Sequence, residues 1–141
     1  MDTTDDSGGA GPSDKSPAYT IKQVSEKTSL PQHVLRYYES EGLLPGVARN
    51  RSGVRRYSES DLEGLALVCC LKNTGMSIKQ IQNFVELSLE GDGTLKQRCE
   101  LLREHKQHVE DQIQEMRKHL EKVTGKIDYF TRQYEKYTGT P

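Results

Sequence analysis

The chain has no tryptophan, two phenylalanines and an aromatic share of 6%, and apolar residues make up only 33% of its 141 residues. So lean a composition supports a modest core and leaves room for one completed against a second copy. No apolar run approaches the ~20 residues of a membrane-spanning helix. The N-terminus also lacks the basic, apolar and small-residue order of a secretion signal. No membrane contact is therefore expected, and the cytoplasm is the expected compartment. Cysteine is scarce: Cys69, Cys70 and Cys99 are odd in number and without framework spacing, which excludes a disulfide scaffold. There is no nucleophile elbow, no glycine-rich phosphate loop and no HExxH, so nothing points to an enzyme. The histidines are His33, His105, His108 and His119. His105 and His108 share a helical spacing, but no third ligand follows in pattern, so neither a metal nor another cofactor is expected.

An excess of either charge is missing too: 20 Lys and Arg stand against 21 Asp and Glu. The sum conceals an uneven distribution. Residues 1–18 hold Asp2, Asp5, Asp6 and Asp14 against Lys15 alone, whereas 49–56 (RNRSGVRR) holds Arg49, Arg51, Arg55 and Arg56 and no acid. For a nucleic-acid contact the distribution matters more than the sum, and the whole-chain average hides this local basic spot.

What is present is helix punctuation. Residues 1–17 are Gly/Ser/Pro-rich and read as a disordered tail. Thereafter a hydroxyl precedes a polar or acidic side chain by three residues at Thr20/Gln23, Ser29/Gln32, Ser58/Asp61, Ser77/Gln80 and Thr94/Gln97, the spacing of a capping box. Gly42, Gly75, Gly91 and Gly93 supply the stops. Helices are thus predicted over about 21–28, 30–40, 59–73 and 78–89, with a long one from about 95. The first two, joined by a tight turn, form a helix-turn-helix candidate. LLPGVARNRSGVRRYS, turning at Asn50–Gly53, reads as a small β-hairpin wing. The third helix is apolar nearly all round between Leu65 and Leu71 and is predicted to be central and buried. The fold class is mainly α: a winged helix-turn-helix head over 18–90, then a dimerisation helix over 94–137.

In that last segment the apolar residues step by four and three. Ile113, Leu120, Ile127 and Tyr134 fall at a, and Val109, Met116, Val123, Phe130 and Tyr137 at d. A helix of ~30 residues, about 45 Å long, cannot fold back on so small a head, so its partner is expected to be its twin. Leu102, Val109, Ile113, Met116, Leu120 and Val123 are the expected dimerisation residues. Gly125 weakens the helix by ~1 kcal/mol and marks a candidate break, with 127–137 as a separate short helix.

The second helix crowds Gln32, His33, Arg36, Tyr37 and Tyr38 into two turns. Gln, His and Arg can reach base edges, and a phenol beside an arginine suits phosphate oxygens. Two adjacent tyrosines cannot both face inward, and the residues leave open which one does. The wing arginines taken alone read as a solvated loop. Beside a helix-turn-helix they read as a phosphate clamp, because the guanidinium fork matches phosphate geometry.

Residues 19–85 resemble the MerR family in the LRYYE…GLL block (Leu35 to Leu44), the wing pattern from Arg51 to Tyr57, the Asp61-Leu62 pair and the LKNTGMSIKQI block (Leu71 to Ile81). The resemblance implies an antiparallel coiled-coil homodimer on a pseudo-palindrome between promoter elements. There it bends and untwists an over-long spacer so that RNA polymerase, an indirect partner, can engage. It also implies DNA contacts at Gln32, His33, Arg36, Tyr37 and Tyr38, and at Arg49, Arg51, Arg55, Arg56 and Tyr57. Metal-sensing members carry cysteines after the dimerisation helix, and 124–141 has neither Cys nor His. An appended ligand domain is likewise not expected. The chain resembles the short NmlR/AdhR-like subgroup, in which a cysteine before an L-K/R-x-T-G-M block answers aldehydes or other electrophiles. Cys70 stands there in this chain. Read from the residues alone, a cysteine in an apolar helix is an inert small hydrophobe. Cys69 and Cys99 are expected to pack. Two other readings stay open: an architectural or excisionase-like DNA-bending protein without an effector, and a coiled-coil interaction protein that binds no DNA.

Overall fold

The computed structural model describes residues 15–139. The disorder expected of the tail falls largely on residues 1–14, outside the described residues. The chain divides into a head, up to Leu95, and a rod from Lys96.

In the head, α1 (Ile21–Thr28), α3 (Glu59–Asn73) and α4 (Ile78–Leu89) each begin at the predicted capping box. In the box of α3, Ser58 Oγ accepts the Asp61 N–H at 3.0 Å and the Asp61 carboxylate accepts the Ser58 N–H at 2.9 Å. Two otherwise orphaned helix-end donors are satisfied at each start. The Ser29/Gln32 box does not form. Ser29 is instead the left-handed residue that ends α1 (φ 62°), its N–H returned to the Ser25 carbonyl at 2.9 Å. Pro31 then occupies the N-cap position of α2 (Gln32–Ser40) without a side-chain bond. The cause is the proline: it disfavours helical backbone at Leu30, so α2 cannot start at residue 30.

The wing is an antiparallel pair, β1 (Ala48–Arg49) and β2 (Arg55–Arg56), in register Ala48 with Arg56 and Arg49 with Arg55. Asn50 organises its tip, the side-chain oxygen accepting the Ser52 and Val54 N–H groups at 2.9 and 3.0 Å. Gly53 takes the positive φ (79°) that the turn needs. Tyr19 bridges Tyr57 and so lays the chain ahead of α1 against the foot of the wing. The Tyr19 hydroxyl donates to the Glu59 carboxylate.

The head core holds Val24, Leu35, Tyr38, Leu43, Leu44, Tyr57, Leu65, Val68, Leu71, Met76, Ile81 and Phe84. The expectation of an all-round buried third helix is corrected. Leu65, Val68 and Leu71, at steps of three, face inward, while Ala66, Leu67 and Cys70 are exposed. Leu67 and the exposed Leu89 line an apolar groove of about 380 Å³ between the Leu43–Gly46 loop, α3 and α4.

The rod is almost entirely one helix, α5 (Leu95–Thr138), 44 residues long and with none of them buried. It passes through Gly125 without a break, so the separate short helix over 127–137 does not exist. One glycine costs ~1 kcal/mol, less than the hydrogen bonds and renucleation that two shorter helices would require. Side-chain pairs such as Lys106–Glu110 and Arg132–Asp128 support its outer surface. Leu102 and Val109 are half-buried, while Ile113, Met116, Leu120 and Val123 are 47–67% exposed.

A Cβ at Gly46 would lie 2.8 Å from Asp61 Oδ1, the carboxylate that caps α3. Gly46→Ala is therefore expected to displace Asp61 and cost about 1 kcal/mol in urea unfolding, the value of a lost cap. In an Asp61→Ala background the same substitution should add no further loss. Full additivity would contradict the coupling.

Candidate nucleic-acid interface

On α2 the exposed side chains are His33, Arg36, Tyr37 and Ser40. Their spacing of i, i+3, i+4 and i+7 places them on one helix face. Leu35 and Tyr38 anchor the opposite face in the core. Gln32 is half-buried and braces the row, its Oε1 accepting from Arg36 Nη2 at 3.2 Å. A helix anchored inward by Leu35 and presenting His, Arg and Tyr outward has the form of a major-groove reader.

The structure settles the two tyrosines. Tyr37 is 48% exposed and Tyr38 only 7%, so Tyr38 is a core residue and not the contact expected of it. Tyr57 is corrected likewise, since its ring is 1% exposed and its hydroxyl is buried with no hydrogen-bond partner. The strand alternation turns Tyr57 inward, where burial pushes its phenol above the ordinary value, with Glu39 adding to the rise.

The wing arginines lie together but not in equivalent states. Arg49 Nη2 reaches Glu39 Oε1 at 3.2 Å, and Arg55 Nε reaches Glu39 Oε2 at 2.6 Å. Arg49 Nη1 also donates to the Gly53 carbonyl at 2.9 Å. Arg51 is exposed and Arg56 half-buried, and among the described residues neither has a carboxylate partner. A basic wing is thus tied by one carboxylate to the end of the reading helix. At the same end, Gln82 Nε2 on α4 donates to the Glu41 carbonyl at 2.8 Å.

The profile of MerR HTH family regulatory proteins matches residues 19–87, and that of MerR, DNA binding, matches 62–126. An HTH-type transcriptional regulator of Haemophilus influenzae is 43% identical over 97 residues, which are 69% of this chain and 72% of the relative. The chain belongs to the MerR family. AdhR, an HTH-type transcriptional regulator of Bacillus subtilis, is 37% identical over 89 residues, 63% of this chain and 64% of its own. Among solved structures the chain is similar to HiNmlR, a MerR family regulator lacking the sensor domain and bound to promoter DNA. That likeness has a TM-score of 0.77 at 38% identity, over 86% of this chain and 95% of that one. As a MerR protein the chain is a DNA-binding transcriptional regulator, not an enzyme. No helix among the described residues is long and apolar enough to cross a membrane.

Cys69 is half-buried and burial pushes its thiol up, away from reactivity, while Cys70 is exposed, as is Cys99. Among the described residues no group of three His, Cys, Asp or Glu lies close enough to hold a metal. Sequence reasoning missed Glu39 altogether. Its partners lie 10 and 16 residues downstream, across a hairpin, beyond any local spacing signal.

With Tyr57 in the core, Tyr57→Phe should leave DNA affinity unchanged and raise stability by about 1 kcal/mol, since an unpaired buried hydroxyl is removed. Because burial raises its phenol pKa, the parent loses stability as pH rises above ~10, where the unfolded chain ionises first. The variant should therefore decline less steeply in alkali than the parent. Loss of DNA binding in this variant would restore Tyr57 as a contact.

Proposed function

We propose that two copies of this chain pair along α5 and bind a pseudo-palindromic promoter spacer, one head to each half-site. Gln32, His33, Arg36 and Tyr37 read the major groove. Arg49, Arg51, Arg55 and Arg56 hold phosphate, Arg55 through the Nη groups that Glu39 leaves unused. The observation that carries this reading is the exposed His33–Arg36–Tyr37 row fixed beside a four-arginine wing. Dimerisation is supported by the uncovered seam from Ile113 to Tyr137. Burying each such side chain against a twin contributes roughly 1.5–3 kcal/mol as an upper bound. Family membership supports an antiparallel arrangement and the bending and untwisting of the spacer, by which RNA polymerase would gain its contacts. That distortion costs on the order of 1–6 kcal/mol, repaid by backbone contacts from both heads. The compartment of action is the cytoplasm, where promoter DNA lies.

Cys70 is the effector residue of this reading. Its exposure, against the half-burial of its neighbour Cys69, favours it as the responsive thiol. With an aldehyde, a sulfur–carbon bond forms, the carbonyl π bond breaks, and the thiol proton ends on oxygen.

DNase footprinting on the promoter fragment nearest its own gene, with and without formaldehyde, tests both parts. Protection of two inverted half-sites is expected, with a formaldehyde-induced change in the parent that Cys70→Ser loses. An identical formaldehyde response in parent and variant rejects the thiol sensor. Protection of a single site outside any promoter spacer favours the architectural DNA-bending protein.

A further inference from the structure

Arg49 and Arg55 stand directly opposite one another in the β1–β2 register. Like charges so placed repel. The Glu39 carboxylate lies between them, one oxygen to each. The Glu39 side chain is 17% exposed, that of Arg55 24% and that of Arg49 47%, so the Arg55 arm is screened less than a surface ion pair and the Arg49 arm is the weaker, solvent-screened one. The bridge reaches from the last turn of α2 to both strands of the wing. It therefore does two things at once: it fixes the wing to the reading helix, and it offsets charge that would otherwise be offered to any phosphate.

We propose that Glu39 is a specificity-determining residue of the DNA surface: it withholds Arg49 and Arg55 from unselective phosphate binding and presents them only where α2 is seated in its groove. This rests on the interface reading above. Binding to unrelated DNA is held by phosphate neutralisation and counterion release, so each arginine freed from Glu39 strengthens it. Binding to the operator needs the wing at a set position relative to α2, so a freed wing weakens it. Removing the carboxylate charge should drive the two in opposite directions.

The test is fluorescence anisotropy of the intact protein with the footprinted operator duplex and with an unrelated duplex of equal length, across a salt series. Glu39→Gln, near-isosteric, is expected to bind the unrelated duplex more tightly at low salt. Its plot of log affinity against log salt should be steeper by up to about 1.8 per head, two phosphate contacts at ~0.9 each. The operator-over-unrelated ratio should fall about tenfold, the size of one mismatched base pair. Glu39→Asp, which keeps the charge, should retain the parent slope. In an Arg49→Gln/Arg55→Gln background, Glu39→Gln should change neither slope nor ratio. Equal weakening on both duplexes without a steeper slope marks a purely structural residue and overturns the proposal, as does a Glu39→Gln indistinguishable from the parent. Arg56→Ala reports on the interface itself by making the parent slope shallower. If it leaves that slope intact, the interface reading fails and this proposal falls with it.

Discussion

A helix of 44 residues that buries none of them is the constraint on which everything else turns. Side-chain pairs such as Lys106–Glu110 and Arg132–Asp128 support its surface, but they do nothing for the apolar row from Ile113 to Tyr137, which stays in water. The chain is too lean in apolar residues to cover that row from its own store. In the proposed dimer the row is satisfied by its counterpart in the second copy, and the same pairing sets the distance between two reading heads. Core completion and half-site spacing are then one physical event, and the low apolar content is a consequence of sharing.

Within each head the corresponding device is smaller. α2 is anchored by Leu35 and Tyr38, the wing is pinned at its tip by Asn50 and at its foot by Tyr19, and Glu39 joins the two. A reader and a clamp that moved independently would recognise phosphate anywhere. Fixed to one another, they favour duplex geometries that satisfy both. In the proposed dimer the rod would supply this constraint between heads; the Glu39 bridge supplies it within one.

Most of the fold was legible because its signals are local. Thr20, Ser58 and Ser77 announce helix starts through contacts three residues away, and those helices begin where the spacing places them. The α2 face was legible for the same reason, as was the basic wing. What escaped depends on tertiary context. Ser29 has the spacing of a cap, yet the turn into Pro31 needs it in left-handed backbone. Tyr57 belongs to a family pattern rich in DNA contacts, and strand alternation turns it inward. Gly125 carries a local cost that a long cooperative helix absorbs. Glu39 meets its arginines only once the hairpin has closed. Cys69 and Cys70 are neighbours in a run that reads as uniformly apolar, and only the packing of α3 separates a half-buried thiol from an exposed one.

The most direct test of the shared rod is sedimentation equilibrium of the intact chain, without DNA, from about 1 µM to roughly tens of micromolar, the range in which a specific pair of this kind is populated. A mass twice that of the chain, held across the range, is the predicted result. A mass of one chain throughout would mean that the seam has no twin, and would contradict the account at its centre.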